Sequence, residues 1–243
     1  MMKKTIFFIF LGLLIACKPQ DAPSTFTDER DSTVYKTVTI GSQTWMAENL
    51  KYLPSVVGPQ TGSSTVSYYY IYGYDGTSVS AAKNHEEGEI NPYETYGVLY
   101  NWPAANSACP DGWHLPSEEE WEILENYLVN NGYNYDGSKG GDHDKIAKSL
   151  ASDSGWDFYN QTGAVGNIDF PEYRNKSGFS ALPGGYRFYD YTFKYIGSEG
   201  LWWFSTEISG QTARYMDLCS SSVGVGIYTW SKANGFSVRC VKD

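Results

Sequence analysis

The stretch from Cys109 to Trp121, CPDGWHLPSEEEW, constrains the fold more tightly than any other part of the chain. It combines a candidate disulfide cysteine, a turn and a helix start within thirteen residues. The segment Pro110-Asp111-Gly112 predicts the turn, because proline presets φ and glycine accepts positive φ. Ser117, followed three residues later by Glu120, predicts a capping box, in which each side chain satisfies a backbone N–H of the other residue. A helix is therefore expected to begin immediately after Ser117.

The apolar residues that follow repeat with helical spacing. Trp121, Leu124 and Leu128 stand at i, i+3 and i+7, which is one face of a helix, and Asn130-Asn131-Gly132 ends the pattern. We therefore predict a helix over residues 118–129. A second helix is predicted after a cap at Asp142 or Asp144, and its buried residues are expected to be Ile146, Ala147, Leu150 and Ala151.

Short segments of strand character surround these helices. Residues 35–40 and 43–50 flank Gly41-Ser42 and predict a hairpin. Further strands are expected at residues 96–100, 201–206, 213–218, 223–229 and 236–241. Many short strands beside two helices are typical of an α+β fold rather than of a parallel α/β sheet.

The first residues are typical of a bacterial lipoprotein signal. Lys3 and Lys4 precede an apolar run at 6–15, and Leu14-Ile15-Ala16-Cys17 matches a lipobox that is cleaved before cysteine. The alternatives are an ordinary signal peptide or a membrane helix, but the run is short for a membrane span. We predict a signal peptide at 1–16, lipidation of Cys17, a flexible tether at 17–33 and a single domain at 34–243. The protein is accordingly expected at the outer membrane or cell surface, with the lipid anchor in the membrane.

The overall charge excludes one class of partner. The formal net charge is −10, whereas nucleic-acid binding needs basic patches. Aromatic residues make up 16% of the chain, mostly tyrosine, and such rings can serve both a core and a ligand surface.

The sequence carries no recognisable catalytic or metal motif. Its three histidines are far apart, and H-E-x-x-H, nucleophile-elbow, CxxC and phosphate-loop patterns are missing. His114 is interpreted as ordering its turn, and residues 85–89 (HEEGE) as a solvated loop rather than a metal site. Calcium is the alternative to having no cofactor, but turn and cap chemistry explains the oxygen-bearing residues that suggest it, and no EF-hand spacing is present. These residues are Asn134, Asp136, Asp142 and Asp144.

Several further motifs follow one another in order along the chain: IGSQTWMAENL at 40–50, YGVLYNWPAA at 96–105, SGFSALPGGYR at 177–187, LWWFSTE at 201–207 and GFSVRCVKD at 235–243. Together with the central stretch, they resemble the major paralogous domain family first catalogued in Fibrobacter, which is common in secreted proteins and lipoproteins of Bacteroidetes-type bacteria. The resemblance implies a C-type-lectin-like fold, with two helices packed on short, mostly antiparallel strands and long loops. It implies no established activity.

The family resemblance also bears on the pairing of the cysteines. With Cys17 assigned to lipid, Cys109, Cys219 and Cys240 remain, so one thiol is left over in an oxidising compartment. The resemblance implies a Cys109–Cys240 disulfide between the helix entry and the last strand. Cys219 is then interpreted as a small buried hydrophobe rather than a reactive thiol.

Lectin-like folds present ligands on a loop that corresponds to residues 188–200. The Glu-Pro-Asn, Gln-Pro-Asp and Trp-Asn-Asp motifs of calcium-dependent lectins are missing, so that mechanism is not implied. Aromatic rings stack on sugars and also suit protein partners, but the same rings can simply pack the sheet, and both interpretations stay open. The candidate ligand-binding residues are Tyr186, Arg187, Tyr189, Tyr191, Tyr195 and Trp202.

These observations favour a lipid-anchored surface binding or adhesion module without catalytic activity, whose partner is a glycan or an envelope protein. One alternative is an enzyme, or enzyme remnant, of the formylglycine-generating type, to which lectin-like folds are distantly related. It needs two cysteines for copper, and Cys219 and Cys240 are the candidates. The other alternative is a purely structural envelope lipoprotein.

Overall fold

The computed structural model describes residues 24–243. Its strands are β1 (Ser24–Asp28), β2 (Thr33–Ile40), β3 (Gln43–Met46), β4 (Tyr69–Tyr70), β5 (Leu99–Tyr100), β6 (Trp113–His114), β7 (Gly184–Arg187), β8 (Phe193–Ile196), β9 (Glu199–Glu207), β10 (Thr212–Cys219), β11 (Gly226–Ser231) and β12 (Val241–Lys242). Its helices are α1 (Val79–Lys83), α2 (Pro92–Tyr96), α3 (Trp102–Ala105), α4 (Glu118–Asn130) and α5 (Ala147–Leu150), with a 3-10 turn at Pro171–Tyr173. No helix within this part of the chain is long and apolar enough to cross a membrane. The predicted signal peptide and Cys17 lie outside the described residues.

Two curled five-stranded sheets dominate the molecule. The first has the order β1-β2-β3-β12-β6, and the second has the order β11-β10-β9-β7-β8. Their pairings are antiparallel, apart from β7 and β9, which meet in parallel where Gly185 lies opposite Gly200. A small ribbon of β4 and β5 lies outside both sheets.

The predicted α+β, C-type-lectin-like fold with two packed helices is wrong. The protein is mostly β, and 15% of it is helical. The second predicted helix is reduced to the four residues of α5, which begins after Ile146 without a side-chain cap from Asp142 or Asp144. Backbone groups of this segment form hydrogen bonds with other parts of the chain instead of extending the helix. The Ala147 N–H donates to Val223 O, and the Ser152 N–H donates to Ala181 O. The predicted apolar residues, Ile146, Ala147, Leu150 and Ala151, are nevertheless all buried.

Helix α4 confirms the first helix prediction. Ser117 Oγ accepts from the Glu120 N–H at 3.3 Å, and Glu120 Oε2 accepts from the Ser117 N–H at 2.8 Å, so the capping box is complete. The apolar face packs into the core, where the Trp121 ring lies 4.8 Å from Trp45 and 5.5 Å from Phe204.

The core lies on both faces of the second sheet. Side chains alternate between the two faces of a strand, so Trp203 of β9 enters one buried cluster while Trp202 enters the other. Tyr215 and Met216 of β10 divide in the same way. Burial on both faces explains why the middle of β9, residues 201–204, is an unbroken apolar run instead of an alternating one.

The strands that a local pattern predicted are mostly present. Hairpin β2–β3 turns at Gly41, whose φ of 63° favours glycine. Strands β9, β10 and β11 confirm the segments expected at 201–206, 213–218 and 223–229. The segment expected at 236–241 is reduced to β12 and isolated bridges, among them Phe236 opposite Tyr100.

Residues 24–33, predicted as part of the flexible tether, form β1 and its turn. Strand β1 pairs with β2 along its whole length. The Phe26 ring lies 4.7 Å from Trp113, and the buried Asp28 carboxylate accepts from the Arg30 guanidinium at 2.7 and 2.9 Å. The ordered structure therefore begins before residue 34.

Candidate functional site

The disulfide between Cys109 and Cys240 confirms the predicted pairing. The two sulfurs are 2.04 Å apart, and the bond joins the turn before α4 to the strand that ends the chain. Because Cys240 is engaged in this bond, it is not available to form a copper pair with Cys219.

Cys219 lies at the end of β10 and is partly exposed rather than buried. Its sulfur lies 3.1 Å from Ser221 Oγ and 3.0 Å from Ser222 Oγ, so its surroundings are polar. It forms no disulfide within the described part of the chain.

His114 was predicted to order its own turn, but its ring hydrogen-bonds to Asp243 and to the start of α4 instead. Its Nδ1 lies 2.6 Å from Asp243 Oδ1, and its Nε2 lies 2.7 Å from Glu120 Oε1. Burial opposes protonation of the ring, but the hydrogen bonds to Asp243 and Glu120 outweigh it and raise the pKa of His114 above its ordinary value. The ring therefore links two carboxylates of the scaffold.

The residues considered for metal binding do not converge. His85 Nε2 lies 3.6 Å from Glu87 Oε2 in an exposed loop. Asp136 is bound by Ser138 and by Lys145 Nζ at 2.9 Å, and these hydrogen bonds lower the pKa of its carboxyl. Across residues 24–243, no group of three or more His, Cys, Asp or Glu side chains is placed to hold a metal ion.

The six candidate ligand-binding residues divide into two groups. Tyr186, Arg187 and Trp202 are buried in the interior. Tyr189, Tyr191 and Tyr195 are 53%, 48% and 53% exposed. The two interpretations left open by the sequence therefore apply to different residues of the β7–β8 hairpin and the adjoining strand β9.

The buried residues hold this hairpin in place. Arg187 donates to the Pro59 carbonyl oxygen and, at 2.7 Å, to Ala233 O. Trp202 Nε1 donates to Asn49 Oδ1 at 2.9 Å. The Tyr186 ring packs 5.8 Å from Phe236 in the core. These three side chains do not belong to the exposed surface.

The hairpin of β7 and β8 is also ordered internally. The Asp190 carboxylate accepts from Lys194 Nζ at 2.6 Å and from the Thr192 hydroxyl at 2.5 Å. Tyr191 and Tyr195 have φ values of 73° and 62°, which are uncommon for residues other than glycine. Strained backbone of this kind is concentrated at functional sites. The exposed tyrosines are thus presented by a defined turn.

An aromatic surface extends from the hairpin onto β11, and the buried rings of Tyr186 and Tyr215 connect its outer members, Tyr195 and Tyr228. Phe188 contacts Tyr189 with ring centroids 4.2 Å apart and Trp230 with centroids 4.8 Å apart. We call this surface the tyrosine platform and define it by its exposed rings, Tyr189, Tyr195 and Tyr228, together with the partly buried Phe188 and Trp230.

Sequence reasoning missed the contribution of β11. Trp230 stacks on Tyr215 at 5.9 Å, and Tyr228 lies 6.0 Å from the same ring. Residues two apart in a strand share a face, so the pair Tyr228 and Trp230 was a usable signal for a paired aromatic face. The strand order places β11 and the hairpin at opposite edges of the second sheet, and the curl of that sheet brings Trp230 against Phe188.

Two carboxylates lie on the same sheet face as Tyr215, and the sequence did not single them out. Asp217 lies opposite Gly226 on β11 and Leu201 on β9, and Glu199 lies opposite Cys219. The Asp217 Oδ1 atom is buried and has no hydrogen-bond partner, and neither carboxylate joins a salt bridge in the described residues. Burial raises the pKa of the Asp217 carboxyl to about 7, with the charge of Glu199 adding to the rise. Burial also raises the pKa of Glu199.

A cleft of about 410 Å³ lies in the segment between α5 and β7. It is lined by Asp153, Ser154, Trp156, Phe158, Gly166, Ile168, Pro171 and Arg174. Trp156 Nε1 donates to Ser152 Oγ at 3.1 Å and to Ala181 O at 3.2 Å, and these two hydrogen bonds fix the orientation of the indole ring. Phe158 and Ile168 are 67% and 82% exposed.

A protein-family model, described as the Fibrobacter succinogenes major domain, matches residues 38–242. A search of the curated proteins and a search of the solved structures each returned no match. The matched span contains the disulfide, the tyrosine platform and the cleft. Since the match covers most of the chain, this protein belongs to the Fibrobacter succinogenes major domain family.

Proposed function

We propose that this protein is a lipid-anchored binding module of the cell surface that recognises a glycan on its tyrosine platform and catalyses no reaction. The observation that carries the proposal is the exposure of Tyr189, Tyr195 and Tyr228 on a scaffold that holds them in place. Large apolar groups gathered at a surface mark interaction sites. Tyrosine rings offer an apolar face to a sugar ring and a hydroxyl to its substituents.

The fixed position of the hairpin supports binding to a ligand. Arg187 is wholly buried and ties the base of the hairpin to two other segments, through Pro59 O and Ala233 O. The Lys194 ammonium lies 4.2 Å from the centre of the Phe188 ring and pairs with Asp190, so the charges of the turn are satisfied internally. Rings that are already ordered lose little entropy when a ligand binds.

Asp217 and Glu199 favour a glycan over a protein partner. Sugars carry many hydroxyl donors, and these two carboxylates lie beside the aromatic face without donors of their own. Both residues are partly exposed although the Asp217 Oδ1 atom is covered by protein, so the hydroxyl groups of a sugar are expected to meet the accessible part of these carboxyl groups. Tyrosine-rich surfaces also bind proteins, and an envelope protein is therefore the competing outcome.

The lipid anchor rests on the sequence. Leu14-Ile15-Ala16-Cys17 provides the lipobox, and acyl chains on Cys17 would hold the domain at the membrane surface. Replacement of Cys17 by serine is expected to abolish lipid incorporation and release the protein from the membrane fraction. Continued labelling of that variant by fatty acid would contradict the anchor.

The platform is tested by binding of the purified domain to immobilised glycans. We expect Tyr189→Ala, Tyr195→Ala and Tyr228→Ala each to weaken binding by about two- to tenfold, because each removes a stacking ring worth roughly 0.5–1.5 kcal/mol. The matched control is Ile123→Ala, which trims a side chain that is 49% exposed on α4. Its binding should equal that of the wild type.

A thermal melt of every variant separates loss of contact from loss of fold. The exposed tyrosines should leave the melting temperature nearly unchanged, since little core volume is removed. Unchanged glycan binding in all three variants would place the ligand elsewhere. The competing outcome is that the wild type binds an envelope protein but no glycan, and that the three variants lose this binding. The partner would then be a protein and not a glycan.

A further inference from the structure

The cleft has the dimensions and the chemistry of a ligand site separate from the platform. Its volume of about 410 Å³ lies within the range of small-molecule pockets, roughly 300–1,000 Å³. The Trp156 indole forms part of its wall and is oriented by its internal hydrogen bonds. An oriented ring at a cleft is a surface on which a flat apolar face can stack.

The polar groups of the cleft suit a hydroxyl-rich ligand. Arg174 donates to Val165 O and, at 2.9 Å, to Asn167 O, while its Nε makes no hydrogen bond within the described residues. The Asp153 carboxylate accepts one long hydrogen bond, from Asn175 at 3.4 Å. The wall therefore has a free donor on Arg174 and a free acceptor on Asp153 near the ring of Trp156. A sugar unit can hydrogen-bond to both groups while it stacks on the ring.

Two apolar side chains at the rim of the cleft are largely exposed to solvent. Phe158 and Ile168 are 67% and 82% exposed, which is unfavourable in water for side chains of this size. Both line the cleft, so one ligand that enters it covers both. Ring carbons of a sugar can cover them while its hydroxyl groups reach Asp153 and Arg174.

A single turn connects the cleft to the tyrosine platform. The Asp157 N–H donates to Gly197 O at 2.8 Å. Phe158 directly follows Asp157, and Tyr195 precedes Gly197 by two residues. Because consecutive Cα atoms are about 3.8 Å apart, this path joins the rim of the cleft to the rim of the platform over a few residues.

The floor of the cleft is attached to the same sheet that carries the platform. The Gly166 N–H donates to Ser220 O at 2.6 Å, just beyond the end of β10. A methyl group at Gly166 would collide with the carbonyl oxygens of Asp157 and Ser220, so this close approach requires glycine. Backbone contacts therefore fix the position of the cleft relative to the platform.

We propose that the cleft is a second sugar subsite, so that the ligand is a linear oligosaccharide that runs from the tyrosine platform across the β8–β9 turn into the cleft. This inference rests on the proposed function of the platform. Two linked subsites gain affinity because the second contact is intramolecular. A ligand that is long enough to reach both should bind more tightly than one that reaches the platform alone.

The test is the dependence of affinity on chain length, measured by calorimetry with cello-, xylo-, manno- and chito-oligosaccharides. We expect the hexasaccharide of the recognised series to bind at least tenfold more tightly than its disaccharide. The double variant Phe158→Ala/Ile168→Ala should lose that advantage while it binds the disaccharide as the wild type does. Val66→Ala, another exposed apolar residue, is the control and should keep the advantage.

A second measurement is the indole N–H signal of Trp156 in NMR spectra, assigned with the Trp156→Phe variant. We expect this signal to shift with the hexasaccharide and to stay in place with the disaccharide. Equal affinities for the two lengths, with binding still dependent on Tyr195, would overturn the second subsite and leave the platform intact. Loss of Tyr195 dependence would overturn the proposed function itself.

Discussion

Asp217 combines burial, an unpaired oxygen atom and a carboxylate neighbour. The pKa of its carboxyl is raised from 3.8 to about 7, first by burial and then by the charge of Glu199. The folded protein therefore holds a proton that the unfolded chain has released between about pH 4 and pH 7. Stability falls as the pH rises through this window, because the unfolded chain gains a solvated carboxylate while burial keeps the carboxyl group of the folded protein neutral.

Replacement of Asp217 by asparagine should remove the penalty. We expect Asp217→Asn to raise the free energy of unfolding by about 1–3 kcal/mol at pH 8 and to change it little at pH 3, where the aspartic acid is already neutral. Urea unfolding at the two pH values measures the difference. Asp190→Asn is a control of the opposite sign: the hydrogen bonds from Lys194 and Thr192 lower the pKa of the exposed Asp190 carboxyl, so this substitution should not raise stability at pH 8. An equal effect of Asp217→Asn at both pH values would show that its charge is not the cause.

At the scale of elements, α4 is defined by contacts between residues near in sequence, whereas the β7–β8 hairpin depends on contacts with distant segments. Helix α4 begins at a complete capping box and buries one face, so residues near in sequence are sufficient to define it. The hairpin needs Arg187, whose partners Pro59 and Ala233 lie in distant segments. These distant contacts, together with the Asp190–Lys194 and Asp190–Thr192 hydrogen bonds inside the turn, fix the hairpin that carries the exposed tyrosines.

The cap of α4 makes a direct prediction about stability. We expect Ser117→Ala to lower the free energy of unfolding by about 0.5–2 kcal/mol, because the Glu120 N–H loses its acceptor at the helix start. The Ser107→Ala variant is the matched control, since the Ser107 hydroxyl makes only long contacts of 3.4 and 3.5 Å after α3. Equal effects of the two substitutions in chemical unfolding would mean that the cap is not stabilising.

The whole molecule is joined by the disulfide and by the second sheet. Cys109 and Cys240 are separated by 131 residues, so the bond greatly restricts the unfolded chain. It also brings the start of α4 beside β12, which lies between β3 and β6 in the first sheet. The second sheet, with core on both faces, carries the platform residues on its two edge elements, β11 and the β7–β8 hairpin.

Loss of the disulfide should destabilise the whole domain. We expect the double variant Cys109→Ala/Cys240→Ala to lose about 2–5 kcal/mol of unfolding free energy. Cys219→Ala, which removes the cysteine that is unpaired in residues 24–243, should change stability much less. Addition of a reductant should lower the melting temperature of the wild type and leave that of the double variant unchanged. A wild type that is insensitive to reduction would contradict a stabilising role.

The sequence by itself determined the features that depend on near neighbours. Turns, the capping box, α4 and the β2–β3 hairpin need only residues within a few positions of one another, and they occur where the sequence predicts them. The disulfide followed from the family resemblance, since three cysteines alone left the pairing open. The long motifs likewise sufficed to place the chain in its family.

Only the tertiary structure decided the fold class and the composition of the platform. The pattern at 146–151 predicted burial correctly, but tertiary hydrogen bonds ended that helix after one turn. A tyrosine is equally suited to a core and to a surface, so the sequence could not show that Tyr186 is buried while Tyr189 is exposed. Asp217 joins these rings only because the strand order β11-β10-β9-β7-β8 brings distant segments together, and strand order depends on contacts between residues far apart in the chain.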